Sequence, residues 1–296
     1  MAAEALGLMT RATARMIGDR LHLQDGPIDL IIGAEGSPEA RLAAFASATQ
    51  RFATILDELC SELPLLRSGA RAESPPSGSV AHAMWRAVLP YAADTFITPM
   101  AAVAGAVADE ILRALLAPGG LTRAYVNNGG DIALHLSPGT SWRIGLVDRP
   151  DRPSLFAATE IAAADPVRGI ATSGWRGRSF SLGIADAVTV LAADAATADA
   201  AATVVANAVD LPGHPAVMRI PATDLQPDSD LGSRPVTRAV SPLSREDVRR
   251  ALDSGRLTAE SLASQGRLTA VSLHLAGETL VVGSKMSEVL LSSMNV

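Results

Sequence analysis

A strand passes directly into a helix in the stretch Ala185-Asp-Ala-Val-Thr-Val-Leu-Ala-Ala-Asp-Ala-Ala-Thr-Ala-Asp-Ala-Ala-Ala-Thr203. Its pattern predicts a strand over Ala187–Ala192 and a helix over Ala196–Val209. Asp199 and Thr203 lie four residues apart on that helix, so both side chains project from one face. A carboxylate and a hydroxyl are hard oxygen donors that suit Mg²⁺. The same spacing also suits an aspartate favoured by the helix dipole and a threonine packed among alanines.

The composition excludes several classes of protein. The chain has 296 residues, of which 48% are hydrophobic and 19% charged, which predicts a folded chain with a sizeable core. A net charge of -6 without a long basic run argues against nucleic-acid and anionic-membrane binding, and 3% aromatic residues argue against base-stacking platforms. Cys60 is the sole cysteine, which excludes an internal disulfide, and its apolar helical surroundings predict a buried, inert thiol.

The sequence predicts a soluble, cytoplasmic protein. Met1–Leu8 is short and acidic and does not resemble a signal peptide. The most apolar long run, Ile97–Leu116, contains three charged residues, which would be costly at the centre of a bilayer.

The order of predicted elements favours an α+β fold with largely antiparallel sheets packed with helices. Gly7–Leu23 is ambiguous between strands and a short helix, and the segments 67–79 and 213–235 are predicted to be a loop and an irregular region. Helices are predicted over Ala40–Leu59, Val80–Ala92, Met100–Leu116, the stretch from Ser244 to Asp253, and Ala259–Ser264. Further strands are predicted over Ile28–Gly33, Ala124–Val126, Ile132–Leu136, Trp142–Val147, Ala157–Ala162, Ile170–Ser173, Phe180–Leu182, Leu268–Leu275 and Thr279–Val282.

A glycine-rich turn, Asn127-Asn-Gly-Gly-Asp131, lies between two predicted strands. Paired glycines allow positive φ and expose backbone N–H groups, which helps a loop approach a phosphate or a ring edge. Asn-Gly and Gly-Asp are also ordinary turn chemistry, so the turn alone does not decide between the two roles.

Two further stretches combine small residues with polar ones. Ala171-Thr-Ser-Gly174 offers hydroxyls at a strand end, and the following Trp175-Arg-Gly-Arg178 carries two arginines that suit phosphates or a solvated loop. Thr98-Pro-Met-Ala-Ala-Val-Ala-Gly-Ala-Val-Ala-Asp109 begins a helix whose small residues allow either a close ligand or close helix packing.

The order of these stretches resembles that of the ApbE-like superfamily, whose best-known members are FAD:protein FMN transferases, and most closely its short branch. The resemblance covers Thr98–Val209 well, and Thr237–Val282 resembles the short branch alone. It rests on Pro99–Asp109, Asn127–Asp131, Ala171–Gly174, Ala185–Val190 and Ala198–Thr203.

This resemblance implies roles for individual residues. It places Asp199 and Thr203 on the Mg²⁺ ligands of the transferases. It also matches a set of residues to the cofactor-binding surface: Gly105, Asp109, Asn127, Gly129, Gly130, Asp131 and Thr172.

The chain departs from the transferases in two places. Their His-Ile-Ile-Asp-Pro stretch is replaced by the shorter Ser179–Asp186, which has no histidine, and the lysine of their helix segment is replaced by Ala104. The metal half of the site is therefore kept while the known acid and base groups are missing. Asp186 and Ser173 are the remaining candidates for catalytic residues. Asp186 is the stronger candidate for a base, and an aspartate at the start of a strand also suits a structural role.

The main hypothesis from the sequence is an Mg²⁺-dependent protein that handles a flavin or nucleotide and acts on the FAD pyrophosphate. One alternative is a non-catalytic flavin- or nucleotide-binding protein, and another is an enzyme of a different cofactor precursor such as a pterin. Family analogy adds a flavoprotein as acceptor. The alanine- and valine-rich composition suits a homodimer, and we expect one ApbE-like domain with two intertwined lobes over residues 1–296.

Overall fold

The structure is a computed structural model that describes residues 11–147 and 155–283. The strands, β1 to β13 in chain order, are Thr13–Ile17, Arg20–Asp25, Ile28–Gly36, Leu121–Asn128, Asp131–Leu136, Ser141–Val147, Leu155–Ala162, Gly169–Ser173, Ala187–Ala192, Val217–Pro221, Pro235–Val240, Ala270–Leu275 and Glu278–Val282. The α-helices, α1 to α7, are Pro38–Ser61, Leu63–Leu66, Ser79–Val88, Val103–Leu116, Ala195–Ala208, Ala222–Leu225 and Arg245–Ser264. Short 3₁₀ helices span Leu89–Tyr91 and Pro99–Ala102.

Antiparallel pairing joins segments from both ends of the chain into one sheet. Within the described residues, nine strands form it in the order β1-β2-β3-β4-β5-β8-β9-β12-β13. β6 pairs with β7, and β10 pairs with β11, as separate two-stranded sheets. The fold is therefore α+β with antiparallel sheets and packed helices, as the sequence predicts.

The helices α1, α4, α5 and α7 pack on one face of the nine-stranded sheet, which we call the helix face. Alternation along β3 directs Leu30 and Ile32 into the core beneath α1 and α4. Every residue of β9 is buried, which fits a central strand covered on both faces. The hairpin β6–β7 contributes Ile161 to a second core on the opposite face.

Several sequence predictions are wrong in detail. Phe180–Leu182 is not a strand, and the two short C-terminal helices are one helix, α7, because Gly255 is buried against Leu273 and does not end it. Cys60 is exposed, since it follows the last buried position of α1, Leu59.

The boundaries of other segments are also corrected. The segment 213–235 is not irregular throughout, because it contains β10 and α6. The ambiguous N-terminal stretch forms β1 and β2 where it is described. Residues 67–78 form the predicted loop, and α3 begins at Ser79. The expectation about Met1–Leu8 lies outside the described residues.

A search of the described helices for one of sufficient length and hydropathy to traverse a bilayer finds none.

Candidate functional site

Four segments of backbone meet on the helix face at one end of the sheet. They are the turn between β4 and β5, the end of β8, the start of α4 and the first turns of α5. Asn128 at the end of β4 is buried and donates from Nδ2 to the carbonyl oxygen of Ala104 at 3.1 Å, which ties the turn to the start of α4. Because Val126 of the same strand packs in the core under α4, alternation also places Asn128 on this face.

Asp199 lies where α5 meets the start of α4. Its Oδ2 accepts a hydrogen bond from the backbone N–H of Gly105 at 3.0 Å. Since α4 has no side-chain cap of its own, Asp199 supplies the acceptor that the first turn of a helix requires. The residue retains some exposure, but surrounding protein atoms desolvate its carboxylate and raise its pKa to about 7, against the N–H bonds of Gly105 and Ala104.

Asp131 places a second carboxylate beside Asp199. Its Oδ1 accepts from the backbone N–H of Thr172 at 3.3 Å. Desolvation raises the pKa of Asp131 well above its usual value, and repulsion from the Asp199 carboxylate raises it further. Because the two desolvated carboxylates repel each other, a cation bound between them would lower their electrostatic energy.

Asp109 and Gly105 connect α4 to α5 in the opposite direction. The two oxygens of Asp109 accept the backbone N–H groups of Ala195 and Ala196 at 3.1 and 2.9 Å. A Cβ on Gly105 would lie 2.2 Å from the carbonyl oxygen of Ala195, so only glycine permits this helix contact. Both residues therefore hold the two helices together, and their contacts do not point to a ligand.

Asn127 and Asn128 lie on opposite faces of β4, and Asn128, which the sequence analysis did not single out, is the one on the helix face. The Oδ1 of Asn127 accepts the N–H of Gly130 at 2.8 Å and closes the turn locally. Gly129 and Gly130 have φ of +68° and +117°, as the paired glycines predict. The signal for Asn128 was available in the alternation of β4, since Ala124 and Val126 share its parity.

Thr172 and Ser173 lie on opposite faces of the sheet. Ala171 packs under α5, so alternation along β8 places Ser173 on the helix face near the site. The Thr172 hydroxyl lies 2.9 Å from the Thr189 hydroxyl on the other face, and its backbone N–H alone reaches the site. Thr203 is half-buried one helical turn after Asp199.

Asp186 is held by several donors. Its Oδ1 accepts from Arg176 at 2.5 Å and from Trp175 at 3.2 Å, and its Oδ2 accepts from the N–H of Ala276 at 2.7 Å. Both oxygens of this buried carboxylate are thus engaged by donors of the protein itself. The geometry therefore favours a positioning role for Asp186 over the expected role as a base.

Two cavities lie away from these carboxylates. One of about 320 Å³ is bordered by residues that include Trp85 and Pro99, and one of about 100 Å³ is bordered by residues that include Arg86 and Asp194. Neither is lined by Asp131, Asp199 or Thr203. The larger cavity is lined by Pro99 of the short 3₁₀ helix that precedes α4, and by no residue of the candidate site.

Asp131, Asp199 and Thr203 offer oxygen donors, the donor type that Mg²⁺ takes. Within residues 11–147 and 155–283, no group of three or more His, Cys, Asp or Glu side chains is arranged for a metal ion. Mg²⁺ is commonly held by one or two carboxylates together with waters and substrate phosphates. Asp131 and Asp199 provide such a pair, and Thr203 adds a hydroxyl on the same helix.

Comparison with known proteins gives a family and a fold. A family model described as "AbpE bacteria" matches residues 11–281. Among solved structures, a mutant of the flavin transferase ApbE from Vibrio cholerae aligns over 92% of this chain and 99% of its own, with a TM-score of 0.52 and 12% identity. The ApbE protein of Thermotoga maritima aligns over 86% and 78% with a TM-score of 0.39 and 18% identity.

Curated relatives match part of the chain. A protein of Methanosphaerula palustris described as UPF0280 is 40% identical over 123 residues, which are 38% of this chain and 47% of that protein. The UPF0280 protein of Methanospirillum hungatei is 35% identical over 134 residues, 42% of this chain and 50% of its own length. The chain thus spans about half the length of the curated relatives it matches.

Proposed function

The chain belongs to the AbpE bacteria family, and on this premise we propose that it binds a flavin nucleotide together with Mg²⁺ and acts at the FAD pyrophosphate. The activity resembles that of an FAD:protein FMN transferase. The observation that supports the proposal best is the pair of desolvated carboxylates, Asp131 and Asp199, at the start of α4.

The proposed metal ligands are Asp199, Thr203 and Asp131. When bound there, Mg²⁺ would neutralise charge on the phosphate oxygens of the substrate. The N–H groups of Gly105 and Ala104 hold Asp199 in place, so that its carboxylate stays oriented without reorganisation. A Cβ on Gly130 would meet nothing within 4 Å, and the glycine turn at Gly129–Gly130 is proposed to face the nucleotide.

The proposed reaction is a substitution at the phosphorus of the FMN half of FAD. The oxygen of a hydroxyl group, from water or from Ser or Thr of a flavoprotein acceptor, bonds to that phosphorus. The bond to the bridging pyrophosphate oxygen breaks and AMP leaves with the electron pair, while the hydroxyl proton passes to solvent. Ser173 lies on the same face as the carboxylates and is proposed to orient the phosphate, and Asp186 is proposed to fix the loop that follows β8.

Turnover of FAD tests the proposal. The protein is incubated with FAD and MgCl₂, and FMN and AMP are measured by chromatography. We expect product in the wild type, at least about tenfold less after Asp199→Asn or Asp131→Asn, and normal turnover in the exposed control Asp224→Asn. No product from the wild type, with FAD unable to bind, would discard the proposal.

A second candidate function is non-catalytic binding of a flavin nucleotide. It is favoured by the contacts of Asp186, because Arg176 already pairs with the carboxylate that the sequence predicts to be the base. A protein that retains FAD unchanged during long incubation with Mg²⁺ would select this function. Stabilisation by a pterin but by no flavin, measured as a thermal shift, would select a different cofactor precursor.

We propose a cytoplasmic protein that forms a homodimer, and light scattering of the purified chain would measure its mass in solution.

A further inference from the structure

The loop after β8 carries two arginines with different surroundings. Arg176 is paired with Asp186 at 2.5 Å and lies 4.2 Å above the ring of Trp175, so its charge is compensated. Arg178 is exposed and makes no ion pair with any residue of the described ranges. The loop thus presents a single uncompensated guanidinium.

Arg178 lies against the glycine turn of the candidate site. Its Nη1 is 3.4 Å from the position that a Cβ would take on Gly129. Its Nη2 makes a long hydrogen bond of 3.4 Å to the carbonyl oxygen of Pro27, in the turn between β2 and β3. The guanidinium therefore spans two neighbouring turns at this end of the sheet, and most of its five N–H donors stay unused.

Because no carboxylate of the described residues pairs with Arg178, its guanidinium is free to bind an anion from solution. Asp131, the carboxylate of the same turn, accepts from the backbone N–H of Thr172 and is repelled by the Asp199 carboxylate. A guanidinium on one side and a carboxylate-bound cation on the other are the two groups that hold a phosphate in many nucleotide sites.

We propose that Arg178 binds a phosphate group of the nucleotide and thereby selects phosphorylated flavins over the free vitamin. This inference rests on the proposed function, since it places the phosphate beside the proposed cation site. Gly129 lies directly against the guanidinium, since a Cβ at that position would be in van der Waals contact with Nη1 of Arg178 at 3.4 Å.

The test compares two ligands that differ by one phosphate. Binding of riboflavin and of FMN is measured by fluorescence titration in MgCl₂ for the wild type, Arg178→Gln and the control Arg249→Gln, an exposed arginine on α7. We expect Arg178→Gln to weaken FMN binding by about tenfold or more while riboflavin binding changes less than about twofold. The Arg249→Gln variant should bind both ligands as the wild type does.

The outcomes separate this inference from the proposed function. FMN bound equally by the wild type and Arg178→Gln would overturn the role of Arg178 and leave flavin binding intact. If the wild type binds no flavin, the same variants are titrated with ADP. Loss of ADP binding in Arg178→Gln would then support the phosphate contact and remove the flavin assignment, whereas no ADP binding by the wild type would overturn both.

Discussion

At the scale of single residues, each of the helices α4 and α5 supplies a carboxylate that accepts backbone N–H groups from the first turn of the other. Asp199 of α5 accepts from Gly105 of α4, and Asp109 of α4 accepts from Ala195 and Ala196 of α5. Both carboxylates are desolvated, and burial raises the pKa of Asp109 to about 6. The arrangement holds negative charge beside the proposed cation site at some expense in stability.

The first residue-scale prediction concerns pH. Folding raises the pKa of Asp109, so protonation of this group stabilises the folded state below its unfolded pKa near 3.8, and that contribution is lost as pH rises through about 6. The Asp109→Asn variant lacks this dependence but loses one acceptor. We expect its deficit in unfolding free energy, measured with urea, to be smaller at pH 7.5 than at pH 4.5 by on the order of 2 kcal/mol. A deficit independent of pH would contradict the burial of Asp109.

The second residue-scale prediction uses two turn glycines. Gly129 and Gly139 both have positive φ, at +68° and +83°, so Gly→Ala at either site should cost about 1–2 kcal/mol of stability. A Cβ on Gly139 would contact nothing within 4 Å, whereas one on Gly129 would meet Arg178. We expect the ratio of FMN to riboflavin affinity to fall in Gly129→Ala and to stay unchanged in Gly139→Ala. Equal ratios in the two variants would argue that the turn does not position Arg178.

At the scale of elements, the close contact between α4 and α5 positions Asp199 at the start of α4. Gly105 faces the backbone of Ala195 with no space for a methyl group. Gly255 of α7 is also tightly enclosed, but by the side chains of Val209 and Leu273. Side chains can change rotamer while a helix backbone cannot shift alone, so the two glycines differ in how strictly they are required.

The prediction at this scale compares Gly105→Ala with Gly255→Ala. We expect the first to destabilise the protein by about 3 kcal/mol or more and to weaken Mg²⁺-dependent ligand binding, because the helices must separate. The second should cost less, since its helix propensity improves by about 1 kcal/mol while Val209 and Leu273 adjust. Urea denaturation measures both, and a greater loss in Gly255→Ala would contradict this account of the crossing.

The same scale shows where sequence patterns are insufficient. The apolar run of β9 and the alanine-rich pattern of α5 predict these two elements closely, because their residues satisfy local rules. Such local patterns do not predict that α7 continues through Gly255, since tertiary packing of that glycine compensates its low helix propensity. They also do not predict that the carboxylate of Asp186 is hydrogen-bonded by Arg176 and by the N–H of Ala276, because these groups reach it only in the folded chain.

At the scale of the whole molecule, the sheet brings distant parts of the sequence to one end. The turn of Gly129, the end of β8 and the first turns of α4 and α5 are separated by up to about a hundred residues and meet around Asp199. The order of motifs along the chain predicts its resemblance to the ApbE-like superfamily, and with it the fold. The pairing of Asp131 with Asp199 depends on strand register and helix placement, which no local pattern encodes.

The most direct test of the central claim is a calorimetric titration of the protein with FAD, in MgCl₂ and in EDTA, for the wild type and Asp199→Asn. We expect the wild type to bind FAD at least about tenfold more tightly with Mg²⁺ than with EDTA, and the variant to show no difference between the two buffers. Circular dichroism would show that the variant is folded. Equal FAD affinity in both buffers for the wild type would contradict the proposed cation site.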